Sequence, residues 1–262
     1  MKRSNLVISL TCALALCVVA SAATAGTLQD TIDTTMPFAS GSRLELENTN
    51  GEIEVVTWDR DEIRIEARKK ARGSSDEDLQ TALDSLEVII GETAGGVTIE
   101  TRFPSHGVMG RARNRVSLSV DYRITMPKKA DLDLETVNGQ VDISGVRGDL
   151  SIDTTNGGII VKESGGRVSA ESTNGGISVE LAELTDGADM SFKTTNGGIK
   201  LFLPTTVRAS LTARTTNGSI QTEFPITVQG KLARTRLEGD INGGGGKIEL
   251  RTTNGGIRIS EM

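Results

Sequence analysis

The hexamer Thr-Thr-Asn-Gly-Gly-Ile stands at residues 154–159, with near-copies at 172–177, 194–199, 215–220 and 252–257. A catalytic loop is needed once, whereas a turn in a repeated fold is needed once per repeat. Asn-Gly pairs occur at Asn50-Gly51, Asn138-Gly139, Asn156-Gly157, Asn174-Gly175, Asn196-Gly197, Asn217-Gly218 and Asn254-Gly255. From Asn138 onward they are spaced 18, 18, 22, 21 and 37 residues apart. A period near 20 residues is the mark of a repeat architecture. The last gap is about two repeats long and holds "DINGGGG" at Asp240–Gly246, which reads as a degenerate copy.

Each copy has the same internal grammar. Ile152 and Thr154 alternate with polar residues before Asn156-Gly157, and Ile159 and Val161 do so after it. Such alternation predicts strands with one buried face. Asn-Gly is also the pair best suited to positive φ at both central positions of a type I′ turn. A two-residue turn there would set Thr154 against Ile159 and Ile152 against Val161. Two architectures satisfy this pattern. One is an all-β, β-solenoid or β-helix-like repeat fold with one short helix, each Asn-Gly forming a corner. The other is an antiparallel β-sandwich in which each Asn-Gly is a hairpin tip. The near-identity of the copies favours the solenoid, because identical residues stack on themselves and asparagines form hydrogen-bonded ladders along a stack. The glycines at 145, 148, 165–166, 187 and 230 mark the opposite corners.

The amino-terminal part differs. Residues 26–42 are polar and read as a linker or a first cap, and residues 43–262 as the β-repeat domain, with regular repeats from about 116. Leu44, Leu46 and Asn48 alternate with Arg43, Glu45 and Glu47, and Ile53, Val55, Ile63 and Ile65 continue the pattern as strands. At 74–86 the rhythm changes. Ser74 with Glu77 resembles a capping box, and Leu79, Leu83 and Leu86 share one helix face. The helix is expected to cover a sheet or an open end. A strand pair at 86–90 and 97–101 follows. Residues 103–115, "FPSHGVMGRARNR", read as a loop carrying His106, Arg111, Arg113 and Arg115. Without a glycine-rich cradle around the arginines, a solvated basic loop is a simpler reading than an anion site.

Residues 1–25 read as a secretory signal peptide. Lys2 and Arg3 precede an apolar run from Leu6 to Ala20, and Ala23-Thr24-Ala25 forms a cleavage site. Both cysteines, Cys12 and Cys17, lie inside it, so the processed chain is expected to lack disulfides and thiolate metal sites. No later stretch is long and apolar enough to suggest a spanning helix. The formal net charge of −6 becomes −8 once Lys2 and Arg3 are removed, which disfavours nucleic acid as a partner. Aromatic residues make up only 3 % of the chain, with Trp58 and Tyr122 single examples of their kind. Binding by aromatic hot spots or stacking platforms is therefore disfavoured.

The run "LDLETVNGQVDISGVRGDLSIDTTNGGIIV" resembles the DUF4097 family of candidate bacterial adhesins. So do "LELENTNGEIEVVTWDRDEIRIEARKKA" and "VDYRITMPKKADLDLETVNG". The resemblance covers about residues 40–260. It implies an exported β-helical protein with an adhesin-like or envelope-associated role, and it offers no catalytic residues.

The residues themselves give no catalytic constellation. A single histidine cannot build a His-rich metal site, and a serine triad would have to rest on His106 alone. Asp131 and Asp133 share a strand face, which acid–base chemistry could use, but acids alternate with core residues throughout. Asp240 and Asn242 fall short of a calcium loop, and no cofactor is implied. The expectation is an exported, non-enzymatic adhesin or interaction scaffold that presents a regular acidic β-surface. Its partner would be a cell-envelope or surface component, protein or glycan, in the periplasm or at the cell surface. An envelope-stress sensor is the alternative, and a carbohydrate-active enzyme is less favoured. Intact-mass measurement of the exported protein is expected to place its first residue at Gly26; a mass retaining residues 1–25 would refute the cleavage reading.

Overall fold

A computed structural model describes residues 26–104, 116–184, 187–228 and 233–262. These residues are nearly all β, with one helix, and form two large mixed sheets of ten and eleven strands. The regular part is a stack of rungs. Each rung is one strand from the eleven-stranded sheet, an Asn-Gly corner, and one strand from the ten-stranded sheet. The rungs are β2 (Arg43–Glu47) with β3 (Ile53–Trp58), β8 (Asp131–Asn138) with β9 (Val141–Ser144), and β10 (Leu150–Asn156) with β11 (Ile159–Gly165). Next come β12 (Val168–Asn174) with β13 (Ile177–Glu183) and β14 (Met190–Asn196) with β15 (Ile199–Leu203). The last two are β16 (Ala209–Asn217) with β17 (Ile220–Thr222) and β20 (Gly246–Asn254) with β21 (Ile257–Glu261). Strands of successive rungs pair in parallel and in register, as Leu132, Leu150 and Val168 do.

The Asn-Gly pairs are therefore corners between sheets and not hairpin tips. Strands β10 and β11 belong to different sheets and pair with neighbouring rungs, so the antiparallel sandwich of hairpins does not form. Thr154 and Ile159 face one interior from opposite walls instead of pairing across a ribbon. The type I′ expectation also fails, because no ladder asparagine has positive φ, and among the corner glycines after Asn-Gly only Gly51 does. Glycine is required by contact. A Cβ built on Gly157 would lie 1.8 Å from the carbonyl oxygen of Gly139 in the next rung. The equivalent distance is 1.8–2.1 Å at Gly139, Gly175, Gly197, Gly218 and Gly255. The second glycine of the hexamer is under no such pressure, since at Gly158 the distance is 3.5 Å. Gln140 and Ser219 replace it in other copies.

The remaining hexamer residues each have a task. The first threonine points inward, and its hydroxyl donates to a corner carbonyl one rung away. Thr154 donates to Gly139 O (3.4 Å), Ser172 to Gly157 O (3.0 Å), and Thr194 to Gly175 O (2.8 Å). This bond offsets the cost of burying a polar group. Isoleucines 159, 177, 199 and 257 form an apolar column that is at most 1 % exposed. The asparagines form a continuous edge. Each Nδ2 donates to the Oδ1 of the next side chain at 2.7–2.8 Å, from Asn138 to Asn50 at one end and from Asn217 to Asn254 at the other.

The order of the stack departs from the order of the chain. Strand β20 lies between β14 and β16, and β21 between β15 and β17. The 37-residue gap is thus not two repeats. It contains the antiparallel strands β18 (Ile226–Val228) and β19 (Arg236–Ile241), which extend the eleven-stranded sheet beyond β16. "DINGGGG" is the turn that sends the chain back. Asn242 there has φ 49°, and its Nδ2 donates to the carbonyls of Thr205 and Val207.

At the other end the ten-stranded sheet is extended by β7 (Ser117–Pro127), β4 (Glu62–Arg72) and β1 (Thr27–Pro37), with β4 antiparallel to both neighbours. Residues 27–37, a linker or cap on the sequence reading, are this 11-residue strand. Arg64 and Lys69 of β4 hold Asp33 and Asp30 of β1, and the Arg64 guanidinium keeps the Asp33 carboxyl below its ordinary range. The other sheet gains the hairpin β5 (Glu87–Thr93) and β6 (Gly96–Arg102). Helix α1 (Asp76–Asp84) joins β4 to β5 and buries Leu79, Ala82 and Leu83, packing on β1 and β4. Its N-cap is Ser75 and not Ser74; the Ser75 side chain accepts from the Asp78 N–H, which leaves three acids in the first turn. The hydroxyls of Tyr122 and Thr101 hydrogen-bond at 2.6 Å across the core, and burial pushes the Tyr122 pKa up to about 12.

Two substitutions test this account. Gly157→Ala is expected to cost about 3 kcal/mol in urea denaturation, because backbone and not a flexible side chain must move, while Gly158→Ala costs less than about 1 kcal/mol. Asn174→Ala, which breaks two ladder bonds, is expected to lose about 2 kcal/mol and to exceed Asn217→Ala, which breaks one.

Candidate interaction face

The outer face of the eleven-stranded sheet carries the most ordered array of charge among the described residues. Its side chains alternate with the core residues, so each strand presents the same positions outward, and register sets them in rows across the sheet. One row lies three residues before each ladder asparagine. In the first four rungs it holds Glu47, Glu135, Asp153 and Glu171. In the other three, in stack order, it holds Lys193, Arg251 and Arg214. Glu100 of β6 extends the acidic end, and Arg236 of β19 extends the basic end. Five carboxylates are thus followed by four cations on consecutive strands about 4.8 Å apart.

This row is not neutralised locally. Among the described residues, no ion pair engages Glu47, Glu135, Asp153, Glu171, Lys193, Arg251 or Arg214. The ends are more settled: Arg102 lowers the Glu100 pKa, and Arg236 lowers that of Glu238. Partial burial, followed by the carboxylates of Glu171, Glu135 and Asp133, holds the Asp153 pKa above its ordinary value. On the central strands the flanking rows are small and polar. Ser151, Ser169 and Ser191 lie on one flank, and Thr155, Thr173 and Thr195 on the other. Farther out, the first of these rows carries Glu45 and Asp133 at one end and Glu249 and Glu238 at the other.

The residues singled out from sequence fall elsewhere. All fourteen Asn-Gly residues form the edge where the two sheets meet. Asp131 and Asp133 do share the outer face of β8, but Asp133 accepts from Arg43 at 2.5 Å and Asp131 from the Asp149 N–H at 2.8 Å. They do not converge on a cleft. A depression of about 600 Å³ lies on the opposite edge, where Arg147 pairs with Glu183. Among the described residues, no group of three or more His, Cys, Asp or Glu side chains is placed to hold a metal ion. No helix among them is long and apolar enough to cross a membrane. His106, Arg111, Arg113, Arg115 and Gly230 lie outside the described residues.

The sequence matches the Toastrack DUF4097 family over residues 74–260, and the chain belongs to that family. No curated protein gives a match. Among solved structures, one similar chain is a candidate cell adhesion protein from Clostridium sporogenes. It is 13 % identical with a TM-score of 0.41, and the match covers 88 % of this chain and 100 % of that one. A candidate adhesin from Bacteroides fragilis is 9 % identical with a TM-score of 0.44, covering 88 % and 97 %. Another from Parabacteroides distasonis is 10 % identical with a TM-score of 0.29, again covering 88 % and 97 %.

The charge row has a pH signature. The folded pKa of Asp153 lies above the unfolded one, so the folded state binds the extra proton between the two values. Stability contributed by this group falls as pH rises through that window and stays lower above it. Asp153→Asn is expected to raise Tm by about 1–2 °C at neutral pH, where screening keeps the effect small, and to leave Tm unchanged at about pH 3. Calorimetry at both pH values checks this.

Proposed function

We propose that the chain is an exported, non-enzymatic interaction scaffold of the cell envelope, adhesin-like in that it binds through a broad surface. In this reading residues 1–25 are a signal peptide, residues 26–42 a cap, and residues 43–262 a single β-solenoid domain. The protein works in the periplasm or at the cell surface. The observation that carries the reading is the outer face of the eleven-stranded sheet: broad, polar, in register, and without converging acids. Such a face suits contact by area and charge, whereas a glycosidase needs two carboxylates set across a substrate cleft. Scarcity of aromatics supports the same conclusion, and so does membership of the family, whose resemblance implies an envelope role. The partner is an envelope or surface component, protein or glycan.

Cross-linking in the native envelope followed by mass spectrometry tests this. A reproducible surface component is expected, with recovery at least tenfold lower for the variant Glu135→Lys/Asp153→Lys. Unchanged recovery with that variant would remove the face from the proposal, and turnover of a polysaccharide by the purified protein would overturn the non-enzymatic reading.

A further inference from the structure

We propose that the charged face joins two copies of this chain about a twofold axis that runs along the strands, between β12 and β14. The inference rests on the reading of this face as the interaction surface, and it names the occupant. The argument is one of charge complementarity. The sign of the central row changes once, between Glu171 on β12 and Lys193 on β14. A row with a single sign change is self-complementary under one operation only. Turning a second copy over about an axis parallel to the strands at that point lays its basic half on the acidic half of the first. An in-plane axis along the row would set acid on acid and base on base. A twofold contact of this kind uses the same patch on both copies.

Register then fixes the partners. Counting strands outward from the axis, Glu171 meets Lys193 of the second copy, Asp153 meets Arg251, Glu135 meets Arg214, and Glu47 meets Arg236. Each pairing occurs twice. On the two strands beside the axis, Glu171 and Lys193 are flanked only by Ser169, Thr173, Ser191 and Thr195, so nothing bulky outside the charge row holds the two sheets apart there. Glu45 and Glu238 come opposite one another, but each already holds an arginine of its own chain, Arg43 and Arg236. Eight strands, four on each side of the axis, at about 4.8 Å and contributing about 17 Å of strand each, give on the order of 650 Å² per copy, at the lower end of specific interfaces. The contact also accounts for a row whose like charges are left unpaired within one chain. A polar interface of this size is expected to be salt-sensitive.

Analytical ultracentrifugation of the purified protein tests this, with circular dichroism to show that each variant is folded. The expected result is a dimer at low ionic strength whose Kd rises at least tenfold in about 1 M sodium chloride. Asp153→Arg and Arg251→Asp should each weaken the dimer at least tenfold, and the double variant should regain it. These two residues lie three strands apart, about 14 Å within one chain, so recovery reports contact between copies. A monomer at low salt, a dimer indifferent to both single variants, or a double variant that fails to recover would overturn the twofold contact. A monomer that still cross-links to an envelope component through this face would overturn the contact and leave the proposed function standing.

Discussion

The fold depends on the closeness with which one rung settles on the next at the Asn-Gly corner. A glycine carbonyl there occupies the space in which the next rung's Cβ would lie. That contact fixes the vertical spacing, and the spacing brings each asparagine amide within 2.8 Å of the next. While the buried hydroxyl of Thr136 has no partner, the same closeness brings the inward hydroxyls of Thr154, Ser172, Thr194, Thr215 and Thr252 to a carbonyl one rung away. Steric exclusion, the asparagine ladder and satisfaction of these hydroxyls are three results of one geometry. The sequence repeats Thr-Asn-Gly together for that reason, while the residue after the glycine is free to change.

Much of this was legible beforehand. Alternation around Asn156 and Asn174 located the strands, Leu79 and Leu83 located the helix, and the near-identity of the copies pointed to stacking. The conformation of the corner was not legible. Asn-Gly has a strong local preference for positive φ, but local preference gave way to contact between rungs, which a single sequence does not display. The place of the last rung was equally hidden. Nothing in residues 246–261 says that β20 belongs between β14 and β16 and β21 between β15 and β17, because every rung offers nearly the same edge.

The charge row is present in the sequence but does not stand out there. Three residues before each ladder asparagine stand Glu47, Glu135, Asp153, Glu171, Lys193, Arg214 and Arg251, with the sign changing once along the chain. Read strand by strand, these residues belong to an ordinary alternation of polar and apolar positions. Only when parallel register sets the strands side by side do they become one line across a face. A net charge of −6 also conceals the pattern, since it averages over two halves of opposite sign.

The placement of β20 and β21 has a bearing on how the molecule is assembled. A ribosome delivers β16 and β17 before the rung that will separate them from β14 and β15. A stack growing by simple addition from its first rung would close β16 directly onto β14, since both offer the same threonine, asparagine and glycine. The native arrangement requires that site to be held open, or reopened, until later residues arrive and wedge in. Completion is therefore a late, non-vectorial event. The antiparallel excursion through β18 and β19, tethered by Asn242, is the segment that carries the chain back to its insertion point.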